Sequence, residues 1–327
     1  MQTIVTLTFN PALDKSIVIQ ELVPDRKLKC SEPVYRPGGG GINVARAITI
    51  LGGNPTAVFF SGGFAGNKIK SLLAQEGVGA IPIPISGITR ENLVIFDQSK
   101  QQQYLLDMPG PTITEFEWEM CLNQIGSFSH LTYLVISGST PASIPASAFM
   151  QLANIANKKN ARLIVDTSGA ALLQAVNAGV YMIKPNLREL GLLAGIDNIN
   201  PQNAAEAARE IIKKKNCEVI IVSTGAGGAI LITQTQTIPV TPPPATVKST
   251  VGAGDSLVAG IIMGLTQNKD LLNAVHYGVA CGTAATLNPG TELCRKADAE
   301  RLFKKIQNQS KDNNLTANRS SPVPAGK

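Results

Sequence analysis

The sequence predicts an α/β fold built on a mostly parallel sheet, and two observations point to it. Short apolar runs recur along the chain and are continuous rather than alternating, as expected of strands covered on both faces. Stretches of helical periodicity fall between them, so the pattern reads as repeated βα units. With 327 residues, of which 44% are hydrophobic, the chain has material for one large α/β domain with a small appendage.

Taken in order, TIVTLTF at 3–9 reads as the first strand and TAVFF at 56–60 as another. Between them, INVARAITILGG has helical spacing and stops on Gly52 and Gly53. YLVIS at 133–137, RLIVD at 162–166, YMIKP at 181–185 and VIIVS at 219–223 complete the core strands, with helices such as 145–157 and 201–214 between them. Two stretches break the rhythm. Residues 15–36 hold KSIVIQEL and CSEPVYRP and read as one or two strands. Residues 91–107 hold ENLVIF, a polar DQSKQQQ and YLLDM, and read as a hairpin. Together they predict a small sheet acting as a lid at the strand C-termini, or else an edge extension of the main sheet. Residues 309–327 are polar, rich in Asn and Ser, and carry two prolines; they predict a disordered tail after a single domain at 1–308.

Composition excludes several classes. The net charge is +6, but the basic residues are scattered. Their densest run, Lys213–Lys215, reads as a solvated helix end with no interleaved aromatics, so no nucleic-acid partner is expected. A mildly basic balance fits a protein that handles phosphorylated small molecules. The five cysteines (30, 121, 217, 281, 294) form no CxxC pair and read as reduced thiols of a cytoplasmic protein. His130 and His276 are too isolated for a His-based metal site. The N-terminus has no basic region before its apolar run, so no signal peptide is expected. No apolar run reaches the roughly 18 residues that cross a bilayer, so no membrane partner is expected either.

Two glycine-rich loops hold the chemistry. Neither a Walker A loop nor a GxGxxG is present, which disfavours a P-loop NTPase and a dinucleotide oxidoreductase. PGGGGIN at 37–43 leads into a helix and lets backbone approach a ligand closely. Asn43 reads equally as an N-cap or as a hydrogen-bond partner for a polyol. STVGAGDSLVAG at 249–260 is more specific. Gly252, Ala253 and Gly254 present backbone amides at a helix start, where the dipole also favours anions. Asp255, just behind, can accept a proton from a hydroxyl nucleophile while the amides hold charge on the group attacked. Capping alone does not account for three small residues in front of it.

These two stretches resemble the diagnostic motifs of the PfkB carbohydrate kinase family, in the ribokinase superfamily. TLTFNPALD, SGSTP, KPNLREL, VSTGAGGA and ATLNPGTELC extend the resemblance over residues 1–308. It implies a ribokinase-like three-layer α/β/α fold with a small β-sheet lid. It also implies transfer of the γ-phosphoryl group of ATP to a sugar hydroxyl, with Mg²⁺ and a monovalent cation such as K⁺. By the same resemblance Asp255 is the catalytic base and Gly252, Ala253 and Gly254 the anion hole. Asp14, Gly39, Gly40 and Asn43 hold sugar hydroxyls. Arg90, Lys27 and Ser139 hold a sugar phosphate. Lys184, Asn186, Ser223, Gly225 and Gly228 serve the nucleotide phosphates, and Val279 and Thr283 line the adenine. Asn186 and Glu189 organise magnesium through water, although taken alone the pair reads as an ordinary helix cap. Backbone oxygens at Ser249, Val251, Ala285, Asn288 and Gly290 bind the monovalent cation.

The expected reaction is phosphorylation of fructose 6-phosphate at its 1-hydroxyl to fructose 1,6-bisphosphate, as in glycolysis. Tagatose 6-phosphate and fructose 1-phosphate are the alternatives within the family, and a catalytically inactive binding regulator is the alternative outside it. A homodimer through the lid, residues 15–36 and 91–107, is also expected, because a small sheet leaves edges and apolar surface uncovered.

Overall fold

A computed structural model describes residues 2–214 and 217–319. The chain runs β1 (Thr3–Thr8), β2 (Ala12–Ile19), β3 (Val34–Gly38), α1 (Gly40–Ile50), β4 (Pro55–Ser61), α2 (Gly63–Gln75), β5 (Gly79–Pro84), β6 (Arg90–Asp97), β7 (Gln102–Leu106) and α3 (Glu115–Gly126). It continues through β8 (Leu131–Ser137), α4 (Ala148–Lys158), β9 (Arg162–Asp166), α5 (Gly169–Ala178), β10 (Val180–Ile183), α6 (Leu187–Ala194), α7 (Ala204–Lys214) and β11 (Cys217–Ser223). It closes with β12 (Ala229–Ile232), β13 (Thr237–Val240), α8 (Ala253–Thr266), α9 (Leu271–Thr286) and α10 (Lys296–Arg319).

The main sheet has nine strands in the order β13-β12-β11-β10-β9-β8-β1-β4-β5. From β11 to β5 every pairing is parallel, while β12 and β13 add antiparallel. The three strands the sequence reading did not name are β5, β12 and β13. Two of these are the sheet edges and carry prolines, Pro82 and Pro84 in β5 and Pro239 in β13. Proline cannot donate to a ladder, so it settles on edges and breaks the apolar run that marks a central strand.

Strand side chains alternate between two cores. Leu134, Ile136, Val165, Ile183 and Val222 face the layer of α3 to α7. Tyr133, Val135, Ile164, Met182 and Ile221 face α1, α8, α9 and α10. This is the expected three-layer arrangement. Helix α8 is buried from Ser256 to Leu265, so it is apolar all round rather than amphipathic.

The lid is a separate four-stranded sheet, β3-β2-β6-β7, and not an edge extension. β6 and β7 form the expected hairpin, and the first insertion contributes two strands. β2 pairs with β6 in parallel, which joins the insertions although they lie far apart in the chain.

Helix α10 carries the backbone to Arg319, past the start of the expected tail at 309. Neither Gly nor Pro interrupts residues 296–319, so nothing in the chain stops the helix even where its composition is polar. Residues 320–327 of that tail lie outside the described residues. Among the described residues no helix is long and apolar enough to cross a membrane, and no group of three or more His, Cys, Asp or Glu is placed to hold a metal ion. All five cysteines are free thiols.

Candidate active site

A parallel sheet brings its strand C-termini to one rim, where ligands of open α/β folds bind. Ser137 closes β8, Asp166 closes β9, Lys184 follows β10 and Ser223 closes β11. Helices α1 and α8 begin at the same rim, and Asp255 is where they meet.

Asp255 is the third residue of α8 and does not cap it. The N-cap is Gly252, with no side-chain cap bond and a left-handed backbone at φ +77° that favours glycine. The Asp255 carboxylate instead accepts Asn43 Nδ2–H at 3.0 Å and Ser137 Oγ–H at 3.3 Å. Burial pushes its pKa up to about 6, and the nearby Asp166 charge adds to the rise, while Asn43, Lys184 and Ser137 oppose it. Lys184 Nζ pairs with Asp166 Oδ1 at 3.1 Å. Burial works against the Lys184 ammonium, but Asp166 outweighs it and holds the pKa above the usual lysine value. A Cβ on Gly254 would lie 3.4 Å from Lys184 Nζ, so the ammonium stands beside the first turn of α8. Amides of that turn have no intrahelical acceptor and sit at the positive end of the dipole.

On the lid side, Asp14 in β2 accepts Asn92 Nδ2–H at 3.0 Å, and burial raises its pKa. Gly39 holds φ +108°, and a Cβ on Gly40 would collide with Ser137 Oγ and the Gly138 amide, so this loop can be made only of bare backbone. α1 takes Gly39 as its N-cap with no side-chain bond; Asn43 therefore does not cap α1 and turns to Asp255. Arg90 opens β6. Its guanidinium donates to Met108 O at 3.1 Å and Asn10 O at 3.3 Å, and Asn10 Nδ2–H reaches Ser139 Oγ at 3.0 Å. Arg90 and Ser139 thus gather round Asn10. Lys27 lies apart from them, exposed in the connection between β2 and β3.

Beyond Lys184, Asn186 and Glu189 form a reciprocal capping box on α6, with bonds of 2.8 and 2.9 Å. Ser223 N–H donates to Pro185 O at 2.9 Å, which sets the loop of Gly225 and Gly228 beside Asn186. Gly225 and Gly228 both take positive φ. Val279 is only 2% exposed and belongs to the core under α9, while Thr283 one turn on is half-buried and donates to Val279 O at 2.7 Å. Ser249 Oγ–H donates to Gly290 O at 2.6 Å, bringing the segment before α8 against the loop after α9. Val251 N–H bonds Ser249 Oγ at 3.2 Å, and just past α9 Asn288 N–H bonds Ala285 O, in the last turn of that helix, at 3.1 Å.

A family model described as pfkB family carbohydrate kinase matches residues 8–298. The chain belongs to this family. It is 40% identical over 304 residues to the ATP-dependent 6-phosphofructokinase isozyme 2 of Escherichia coli K12, covering 93% of this chain and 98% of that protein. It is 31% identical over 291 residues to the 1-phosphofructokinase of Bacillus subtilis 168, covering 88% of this chain and 95% of that one. Among solved structures, Escherichia coli phosphofructokinase-2 in complex with potassium superposes with a TM-score of 0.90 at 40% identity, over 94% of this chain and all of that one. The same protein in complex with fructose-6-phosphate gives a TM-score of 0.88 at 38% identity, again over 94% of this chain and all of that one.

Within this pfkB fold, several residues at the rim were not found from the sequence. Ser137 and Asp166 had a usable signal, since each is the polar residue that ends an apolar strand. Asn92 and Asn10 had none, because each acts through a partner distant in the chain. Arg46 had none either, because a charged residue in a helix normally reads as its solvated face.

Proposed function

We propose that this pfkB-family kinase transfers the γ-phosphoryl group of ATP to O1 of fructose 6-phosphate, giving fructose 1,6-bisphosphate. The observation that carries this is Asp255, a carboxylate raised to a pKa of about 6 beside the glycine-lined start of α8. A loose phosphoryl transition state needs an oriented hydroxyl, an in-line donor and positive potential around the moving oxygens. Asp255 orients the 1-hydroxyl and takes its proton. Gly252, Ala253 and Gly254, with the Lys184 ammonium, hold the charge on the transferring group. A pKa of about 6 leaves Asp255 ionised at neutral pH and still basic enough to accept that proton.

Asp14, Asn43 and the bare backbone of Gly39 and Gly40 hold the sugar. Arg90 and Ser139 hold its phosphate; Lys27, exposed on the β2–β3 connection, joins them only if that connection moves toward the sugar. Ser223, Gly225 and Gly228 take the nucleotide phosphates, and Thr283, backed by Val279, edges the adenine. The capping box occupies Asn186 Oδ1 and Glu189 Oε2, which leaves Glu189 Oε1 as the carboxylate oxygen outside it. That donor set suits magnesium that keeps its own waters better than a direct chelate. When bound, magnesium would supply positive charge that offsets the charge on the nucleotide phosphates. Carbonyls of Ser249, Val251, Ala285, Asn288 and Gly290 are proposed for potassium, on the joined loops beside the anion hole.

Identity of 40% to a 6-phosphofructokinase against 31% to a 1-phosphofructokinase supports fructose 6-phosphate over fructose 1-phosphate as acceptor; tagatose 6-phosphate is proposed as a secondary acceptor. A coupled assay should give a kcat/KM for fructose 6-phosphate at least about tenfold above that for fructose 1-phosphate. The reverse order would reject the assignment. The exposed lid residues Val34, Leu105 and Leu106 support pairing of two chains through the lid. Light scattering at micromolar concentration should then report a dimer, and a monomer would refute the pairing.

A further inference from the structure

We propose that Arg46 is a positioning residue for phosphoryl transfer: it fixes the Asn43 amide with its NH₂ end toward Asp255, and Glu76 fixes Arg46 in turn. This rests on Asp255 being the base.

Asn43 and Arg46 lie three apart on α1 and share a face. Arg46 Nη1–H donates to Asn43 Oδ1 at 3.3 Å and to Pro37 O at 3.0 Å. Arg46 Nε–H and Nη2–H grip Glu76 Oε2 and Oε1 at 2.6 and 2.9 Å, a fork-on-fork pair in which the arginine side chain is 9% exposed and the glutamate 36%. A guanidinium only donates, so the end of the Asn43 amide that meets it must be oxygen. The NH₂ end is thereby left for Asp255 Oδ2, at 3.0 Å. Turning the amide over would set oxygen against carboxylate and NH₂ against guanidinium, losing both part-buried bonds. The bond to Pro37 O ties the same guanidinium to the start of the PGGGG loop, so one side chain steadies both the base and the sugar-side backbone.

A donor held on the carboxylate favours its ionised form. The other groups facing Asp255 are Lys184 and Ser137, which act in the same sense, and Asp166, which opposes them. Without Arg46 the Asn43 amide is free to turn, so the acidic limb of the kcat profile should move to higher pH.

The test uses the full chain, with Arg46→Met to keep bulk and remove the donors. Its kcat should fall about ten- to a hundredfold through misplacement of the base. The KM for ATP should stay within about twofold. The acidic limb should rise toward neutral pH, and Arg46→Lys should recover only part of the loss because an ammonium cannot make the fork. A folded Arg46→Met with wild-type kcat overturns the proposal. So does a loss of kcat that is uniform across pH with the limb unmoved, since general structural damage alone produces that. If Arg46→Met does not fold, Glu76→Gln gives the same readout from a more exposed position: its limb must move the same way by a smaller amount, and an unmoved limb overturns the proposal. Asp255→Asn, assayed alongside, separates the two levels. If it keeps turnover, the base assignment fails whatever Arg46 does.

Discussion

Replacing Arg90 with methionine is expected to raise the KM for the sugar phosphate about ten- to a hundredfold, with kcat and the KM for ATP near wild type. The magnitude follows from losing a charge-assisted contact of about 1.5–3 kcal/mol, at about 1.4 kcal/mol per factor of ten. A contact made equally in the ground and transition states appears in KM rather than in kcat. Arg90 is well placed for this. Its side chain is 10% exposed, and it is held by Met108 O and Asn10 O with Asp107 3.8 Å away. Its Nε–H is nonetheless buried without a hydrogen-bond acceptor. A buried donor in that state is costly, and a phosphate oxygen would satisfy it. Arg90→Lys keeps the charge and loses the fork, so it should fall between the two. Steady-state kinetics with each substrate varied in turn check this, and a KM change below about threefold would remove Arg90 from the phosphate site.

Asp255→Asn is expected to lower kcat by about 10²- to 10⁴-fold, the range for losing a positioned general base. It should also make the protein more stable, and increasingly so as pH rises. In the folded chain the carboxyl has a pKa of about 6, against 3.8 for an unburied one. Between those values the unfolded chain releases the proton first, so folding stability falls as pH rises through the window. Below it, both states hold the proton and nothing is lost. Above it, wild type bears the full cost of a buried charge, of the order of 1–3 kcal/mol. Asparagine never ionises, so the gap between variant and wild type should open between about pH 4 and pH 7. Thermal melts across that range check the sign, and a gap that closes with pH would mean the acid is not buried as described.

The sequence gives up the chemistry of this site more readily than its wiring. TVGAGDS was legible because bare amides at a helix start and a carboxylate behind them are consecutive in the chain. The lid was legible because its strands interrupt a regular βα rhythm. Asn43 meets Asp255 across 212 positions and Ser137 meets it across 118, and no local pattern encodes such pairings. Nor did anything local decide whether Asn43 caps its helix; the fold decides it by giving the cap to Gly39. Asn186 and Glu189 form the ordinary cap that their spacing suggests, so Glu189 Oε1 is the one side-chain oxygen of the pair that the cap leaves outside it. Helical spacing placed Val279 and Thr283 together but could not tell that the first faces the core.

The most direct test of the whole account is turnover by Asp255→Asn near neutral pH with ATP and fructose 6-phosphate saturating. A folded variant with unchanged ATP binding and kcat reduced at least about a hundredfold is the expected result. Turnover close to wild type would mean that the acceptor hydroxyl is activated elsewhere, and the role given to the start of α8 would fall with it.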